Sequence, residues 1–126
     1  MPIEQYYSGN KADIYVYVNP RGDALVPDFI EGLAQSDQKK IIQLIRHFGD
    51  HGEILNPEKF RLEDKPIYAL KSYQIRIPCF YLPEQAKRTL VLTHGFIKKS
   101  PKMPKPELEK AKTIHRAVIL HLQHPG

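Results

Sequence analysis

Residues 67–106 read IYALKSYQIRIPCFYLPEQAKRTLVLTHGFIKKSPKMPKP, and the fold turns on how this stretch is read. Two apolar runs, 73–81 and 89–94, flank the turn-like Leu82-Pro83-Glu84-Gln85-Ala86. Each run mixes β-branched and aromatic residues with little helical period, which predicts neighbouring strands joined as a hairpin. Pro78 has no N–H to give to a ladder, so a bulge or an outward-facing edge position is expected there. The second run opens into Gly95-Phe96-Ile97-Lys98-Lys99-Ser100, where the apolar pattern stops and positive charge begins. A strand pair that delivers Lys71, Arg76, His94, Lys98 and Lys99 to one end of a sheet makes a cationic cleft suited to a polyanion.

Working outward, residues 67–71 read as a short strand, and 56–66 (NPEKFRLEDKP) as an irregular, charged connection. Residues 13–18 (DIYVYV) alternate as a strand does, and Asn19-Pro20-Arg21-Gly22-Asp23 break it as a turn. ALVPDFIEGLA follows, with Val26, Phe29, Ile30 and Leu33 at helical spacing and Pro27 in the first turn, where a missing N–H costs nothing. Ser36 reads as the N-cap of a second helix, with an apolar face of Ile41, Ile42, Leu44, Ile45 and Phe48 and a stop at Gly49 or Gly52. A last helix starts at Pro106, with Glu107 and Glu109 in its first turn and a stripe of Leu108, Ala111, Ile114, Val118 and Leu122. Strands clustered after helices predict an α+β fold with a mainly antiparallel sheet of about four strands. Two N-terminal helices and a C-terminal helix would cover one face, leaving the opposite face or its rim for binding.

At 126 residues the chain is expected to be one domain, 1–126, with enough surface to bury a core unaided. Its eleven prolines are scattered among apolar segments and form no repeat. Cys79 is the lone cysteine, so no intrachain disulfide is possible, and its place in an apolar run predicts a buried thiol. The N-terminus lacks a basic segment followed by an apolar one, and no apolar run approaches membrane-spanning length, so a cytoplasmic protein is expected. Charge is uneven: residues 1–60 hold 6 basic and 9 acidic residues, net −3, and 61–126 hold 13 and 5, net +8. Clustered cations gain from counterion release on an anion, although a solvated basic face gives the same count.

The cations of the cleft suit a phosphodiester. Arg76 carries a planar fork that binds two oxygens and never deprotonates; pairing with a carboxylate is its ordinary alternative. Lys71, Lys98 and Lys99 add point charges, and a crowded lysine with lowered pKa becomes a base; as loop residues Lys98 and Lys99 could equally be solvated. His94 is a base or acid in one reading and a hydrogen-bonded structural residue in the other. Tyr73, Phe80, Tyr81 and Phe96 read as packing residues, with Tyr81 or Phe96 able to stack on a base if they reach the cleft rim. His47 and His51 have the spacing of a helical metal pair but no third ligand, and no metal site is expected. His115, His121 and His124 read as surface residues, and no phosphate-cradling glycine loop or serine elbow is present.

Residues 70–76 (LKSYQIR), 92–100 (LTHGFIKKS) and Lys102-Met103-Pro104, with Glu107 and Ala111, resemble the phage Gp49-like, HigB-type branch of the RelE/ParE toxin superfamily. The resemblance is close over about residues 67–111, where the HGF-x-KK segment and its downstream proline carry it. It implies a RelE-like fold and the toxin of a type II toxin–antitoxin pair. That toxin would be a ribosome-dependent mRNA endonuclease needing no metal or cofactor. Its partners would be mRNA on the ribosome and a small helix-turn-helix, HigA-like antitoxin. By matching position, Arg76 and Lys98 would hold the scissile phosphate, and His94 would be a further catalytic candidate. Lys71 and Lys99 would be supporting cations in contact with RNA. Apart from the resemblance, Lys102, Tyr81 and Phe96 are further candidates for RNA contact. The chain departs from the pattern at Ala69, where an acidic residue is usual, at Ser100 in place of Thr, and at Pro78. A ParE-like topoisomerase inhibitor and a non-catalytic antitoxin- or operator-binding domain are the alternatives on the same fold.

Overall fold

The structure is a computed structural model that describes residues 2–124, so Met1, Pro125 and Gly126 of the expected 1–126 domain lie outside it. In chain order the elements are β1 (Ile3–Ser8), β2 (Ala12–Tyr17), α1 (Leu25–Glu31), α2 (Gln35–His51) and β3 (Phe60–Asp64). Then come β4 (Ile67–Ser72), β5 (Ile75–Tyr81), β6 (Arg88–Leu92), β7 (Phe96–Ile97) and α3 (Lys105–Gln123). The strands make one sheet in the order β1-β2-β6-β5-β4-β3, and β7 also pairs with β5. Every pairing is antiparallel except β2 with β6.

The fold is therefore α+β with a mostly antiparallel sheet, but among the described residues it has seven strands where about four were expected. The additions are β1, β3 and β7. The first two lie at the sheet edges, where one side of the ladder faces outward and charged side chains discourage further pairing. In β3 (FRLED) Arg61, Leu62 and Asp64 are exposed, so its composition reads as a loop.

The helix layout also differs from the expected single covered face. Val26, Ile30, Ile41, Ile45 and Phe48 of α1 and α2 pack on Ile14, Val16, Leu70, Ile77, Leu90 and Leu92. Ala111, Ile114 and Val118 of α3 pack with Ile67, Phe80 and Val91 in a separate cluster on the other side. Coverage of both faces explains why Ile77, Pro78, Cys79 and Phe80 are all buried in succession, since a half-covered strand would alternate. Cys79 is fully buried, and burial pushes its thiol up, away from any reactive thiolate.

Local details refine the helix ends. The N-cap of α2 is Ala34, so Ser36 lies in the first turn instead of capping it. The entry is held by Gln38, whose side-chain amide donates to the Leu33 carbonyl at 2.9 Å and the Glu31 carbonyl at 3.2 Å. Gly52, at φ +81°, ends the helix with its N–H on the Phe48 carbonyl at 2.7 Å. Gly49 is buried within α2, where a Cβ would lie 2.7 Å from the Tyr7 ring. The α3 stripe ends at Val118, because Leu122 is exposed near the helix end. His115 is only half exposed and meets Phe80 edge-on at 4.8 Å, contrary to its reading as a surface residue.

Pro78 is not on an edge strand. It lies in β5 opposite Ala69 of β4, at the point where the other neighbour of β5 changes from β6 to β7. Pairing with β6 ends at Cys79–Leu92, and pairing with β7 starts at Arg76–Phe96. The missing N–H falls at this break, where the Pro78 carbonyl still accepts from the Thr93 N–H at 2.9 Å.

Candidate functional site

The β4–β5 hairpin closes through a two-residue turn, Tyr73-Gln74, because Ser72 pairs with Ile75. Lys71 pairs with Arg76, which pairs in turn with Phe96 of β7. Directly paired residues share a face. This face carries Phe80 and α3, and Lys71 and Arg76 stand on it beyond the apolar residues that α3 covers. The backbone N–H of Lys98 donates to the Gln74 carbonyl at 2.7 Å, so β7 continues alongside the turn and carries Lys98 to the same place. Gln74, Arg76, Lys98, Lys99, Ser100 and Pro101 then line a trough of about 280 Å³.

Arg76 is half-buried and donates to the Ile75 carbonyl at 3.0 Å and to the Tyr73 carbonyl. Two backbone acceptors thus fix the guanidinium against the turn. Among the described residues no carboxylate lies within 4.0 Å of Lys71, Arg76, Lys98 or Lys99. Glu63 acts on Lys71 and Arg76 from farther away while standing 4.0 Å from Arg61. The Lys71 ammonium is pushed below its ordinary range by burial first, then by Arg61, Arg76 and Lys98, with Glu63 opposing. Such crowding is unfavourable without an anion and is relieved by one.

His94 lies inside, at 3 % exposure. Its Nδ1 is 3.0 Å from the Thr93 hydroxyl and its Nε2 3.2 Å from a Glu107 carboxylate oxygen in the first turn of α3. Burial first, and then Lys110, push its pKa down to about 4. The Thr93 hydroxyl donates to the Pro78 carbonyl at 2.9 Å, so its oxygen, like that of Glu107, faces the ring as an acceptor, and a neutral ring donates to only one of them. The Thr93 backbone N–H donates to the Pro78 carbonyl at 2.9 Å. Residues 93–95 are thereby tied to β5 and to α3 just before β7 begins. Gly95 is required in this loop, since a Cβ would sit 2.2 Å from the Phe29 ring. Phe96 is buried and stacks on His94 with ring centroids 5.9 Å apart.

The structure therefore gathers Lys71, Arg76, Lys98 and Lys99, with His94 and Phe96 behind them. Lys102 is exposed farther along the same loop, where its carbonyl accepts from the Ser100 hydroxyl. Tyr81 is elsewhere. It lies on the α2 face among Phe48, Phe60 and Tyr68, beneath the Arg88 guanidinium, and burial pushes its phenol up to about 12. The His47 and His51 rings lie 4.2 Å apart, tilted by 34°, and no group of three potential metal-ligating side chains is found among the described residues.

Three residues of the site, Tyr73, Arg61 and Glu63, escape sequence reasoning. Tyr73 reads as packing but is 77 % exposed, with φ +56° at the first central position of the turn, where glycine is the usual occupant. Arg61 and Glu63 lie hidden in the unexpected strand β3, although Phe60 and Leu62 alternate as strand residues do. A larger groove of about 890 Å³ opens on the far side of the Tyr73 turn, against α2.

No helix among the described residues is long and apolar enough to cross a membrane. No curated protein matches the chain. A family model does match, over residues 28–116, a span that takes in the hairpin, its turn, β7 and all four gathered cations. That family is associated with the toxins of toxin–antitoxin pairs. With most of its length matched, the chain belongs to the family described as Phage derived protein Gp49-like (DUF891).

Proposed function

We propose that this protein is a HigB-like toxin of the RelE/ParE superfamily that cleaves mRNA on the ribosome and is held inactive by a small helix-turn-helix antitoxin. The observation that carries the reading is the convergence of Lys71, Arg76 and Lys98 on one sheet face, with no carboxylate of the described residues within ion-pair distance. Cleavage would follow internal attack: the 2′-oxygen forms a bond to phosphorus as the bond from phosphorus to the 5′-oxygen breaks. The products are a 2′,3′-cyclic phosphate and a 5′-hydroxyl. The Arg76 fork and the Lys98 ammonium grip the non-bridging oxygens and offset their growing charge, commonly the main source of rate enhancement in such catalysis. Lys71, with its lowered pKa, is suited to receive the 2′-hydroxyl proton, and the leaving oxygen takes up a proton in exchange. Lys99 adds charge at the trough rim. His94 positions the loop that leads into β7 through Thr93 and Glu107.

The test is induction of the protein without an antitoxin, followed by primer extension on cellular messages and by end-group analysis of the fragments. Growth arrest with new 5′-hydroxyl ends inside translated regions is expected. Arrest with intact messages and DNA damage would replace this reading with topoisomerase inhibition. A folded protein causing no arrest at any level would replace it with a non-catalytic binding domain.

A further inference from the structure

We propose that the groove between α2 and the β4–β5 turn is a second nucleotide-binding segment, in which Tyr73 stacks on a base of single-stranded RNA beside the cleavage trough; this rests on the endonuclease reading. Lys40, His47, Leu55, Lys59, Lys71 and Tyr73 are among its lining residues. Its volume of about 890 Å³ lies at the upper end of the ~300–1,000 Å³ range of small-molecule sites.

Three observations favour single-stranded RNA as the occupant. The groove and the trough share the turn as a common wall: Ser72 and Tyr73 line one, Gln74 lines the other, and Lys71 lines the groove while standing in the field of Lys98. A strand gripped at Arg76 therefore reaches the groove by crossing two residues. The lining also combines cations with apolar surface: Lys40, Lys59 and Lys71 face one carboxylate, Glu58, while Leu55 is 83 % exposed beside Tyr73. This pairing of positive charge for the backbone with flat or apolar surface for the bases is how single strands are held without sequence readout. Finally, Tyr73 is a large aromatic in a backbone conformation that favours glycine, and its ring projects outward instead of packing. The Lys40 ammonium lies over one face of the ring, 4.6 Å from its centroid, which leaves the opposite face for a base.

Tyr73→Gly separates fold from function, because glycine suits the turn while removing the ring. Binding would be followed by fluorescence anisotropy with uncleavable 2′-O-methyl oligoribonucleotides of about four and about ten nucleotides, bracketing the trough alone and the trough with the groove. Wild type is expected to bind the longer strand more tightly. Tyr73→Gly should lose about tenfold on the longer strand, nothing on the shorter one, and melt no lower than wild type. The pair Lys40→Ala with Lys59→Ala should show the same selective loss, and Arg76→Ala should weaken both strands. Unchanged affinity for the longer strand in Tyr73→Gly would overturn the groove proposal while leaving the trough intact. So would loss of a protein partner by these variants with RNA affinity retained. A wild-type protein that binds neither strand and leaves messages uncut would remove the endonuclease reading, and the groove with it.

Discussion

Replacing Arg76 by alanine is expected to relieve growth arrest and to slow message cleavage by at least ~10²–10³-fold, the usual cost of removing one preorganised donor from an anionic transition state. The guanidinium is fixed by the Tyr73 and Ile75 carbonyls, so its remaining donors need no reorganisation when charge builds on the phosphate. The fold should tolerate the change. Among the described residues Arg76 has no ion-pair partner to orphan, and its removal lessens repulsion with Lys71, so stability should move by less than about 1 kcal/mol. Arg76→Lys keeps the charge but loses the fork, and should recover only part of the rate. Melting curves alongside single-turnover cleavage on programmed ribosomes separate the two effects. Full toxicity from a folded Arg76→Ala protein would contradict the assignment.

The second large effect is on stability. His94 has a folded pKa of about 4 against an ordinary 6.5, so the unfolded chain takes up the proton first as pH falls. Stability is therefore fully present above pH 6.5, declines between 6.5 and 4, and levels off where both states are protonated. The steepest slope is about 1.4 kcal/mol per pH unit, and the whole loss roughly 3 kcal/mol, a large share of the stability of an ordinary domain. Glu107 at 3.2 Å favours the charged ring and moderates the decline, whereas Lys110 and burial drive it. His115, also pushed down by burial and by Arg116, adds in the same direction. Urea denaturation at pH 7, 5.5 and 4.5 measures this, and His94→Gln should flatten most of the slope. A wild-type protein growing more stable between pH 7 and 5 would mean that His94 and Glu107 form an ion pair in the folded state.

The β5–β6 hairpin was legible because it depends on neighbours in sequence, and β7 begins in the segment that carries Lys98. The β4–β5 turn was not, because Tyr73-Gln74 lacks the usual turn residues and Tyr73 continues the apolar run of β5. Edge strands were not legible, because β3 keeps itself from pairing further with the same charged residues that make it resemble a connection. The position of α3 was recoverable in principle. An uninterrupted apolar run such as Ile77-Pro78-Cys79-Phe80 requires cover on both faces, and the expected single helical layer did not supply it. Tyr81 and Tyr73 exchange their expected settings for a reason of parity and turn geometry. Tyr81 is an odd number of residues from Arg76 and faces α2, while Tyr73 occupies a turn whose backbone turns its ring outward. The interior place of His94 depends on Glu107 in α3, thirteen residues away, and local pattern holds no trace of that contact.

The most direct measurement is a double-mutant cycle on Arg76→Ala and Lys98→Ala, read as single-turnover cleavage with both folds checked. If the two side chains grip one phosphodiester, the double variant should be little slower than the worse single variant, because groups that act as a unit are strongly non-additive. Losses that simply multiply would show two independent contacts, and the single phosphate site at the end of β4, β5 and β7 would be wrong.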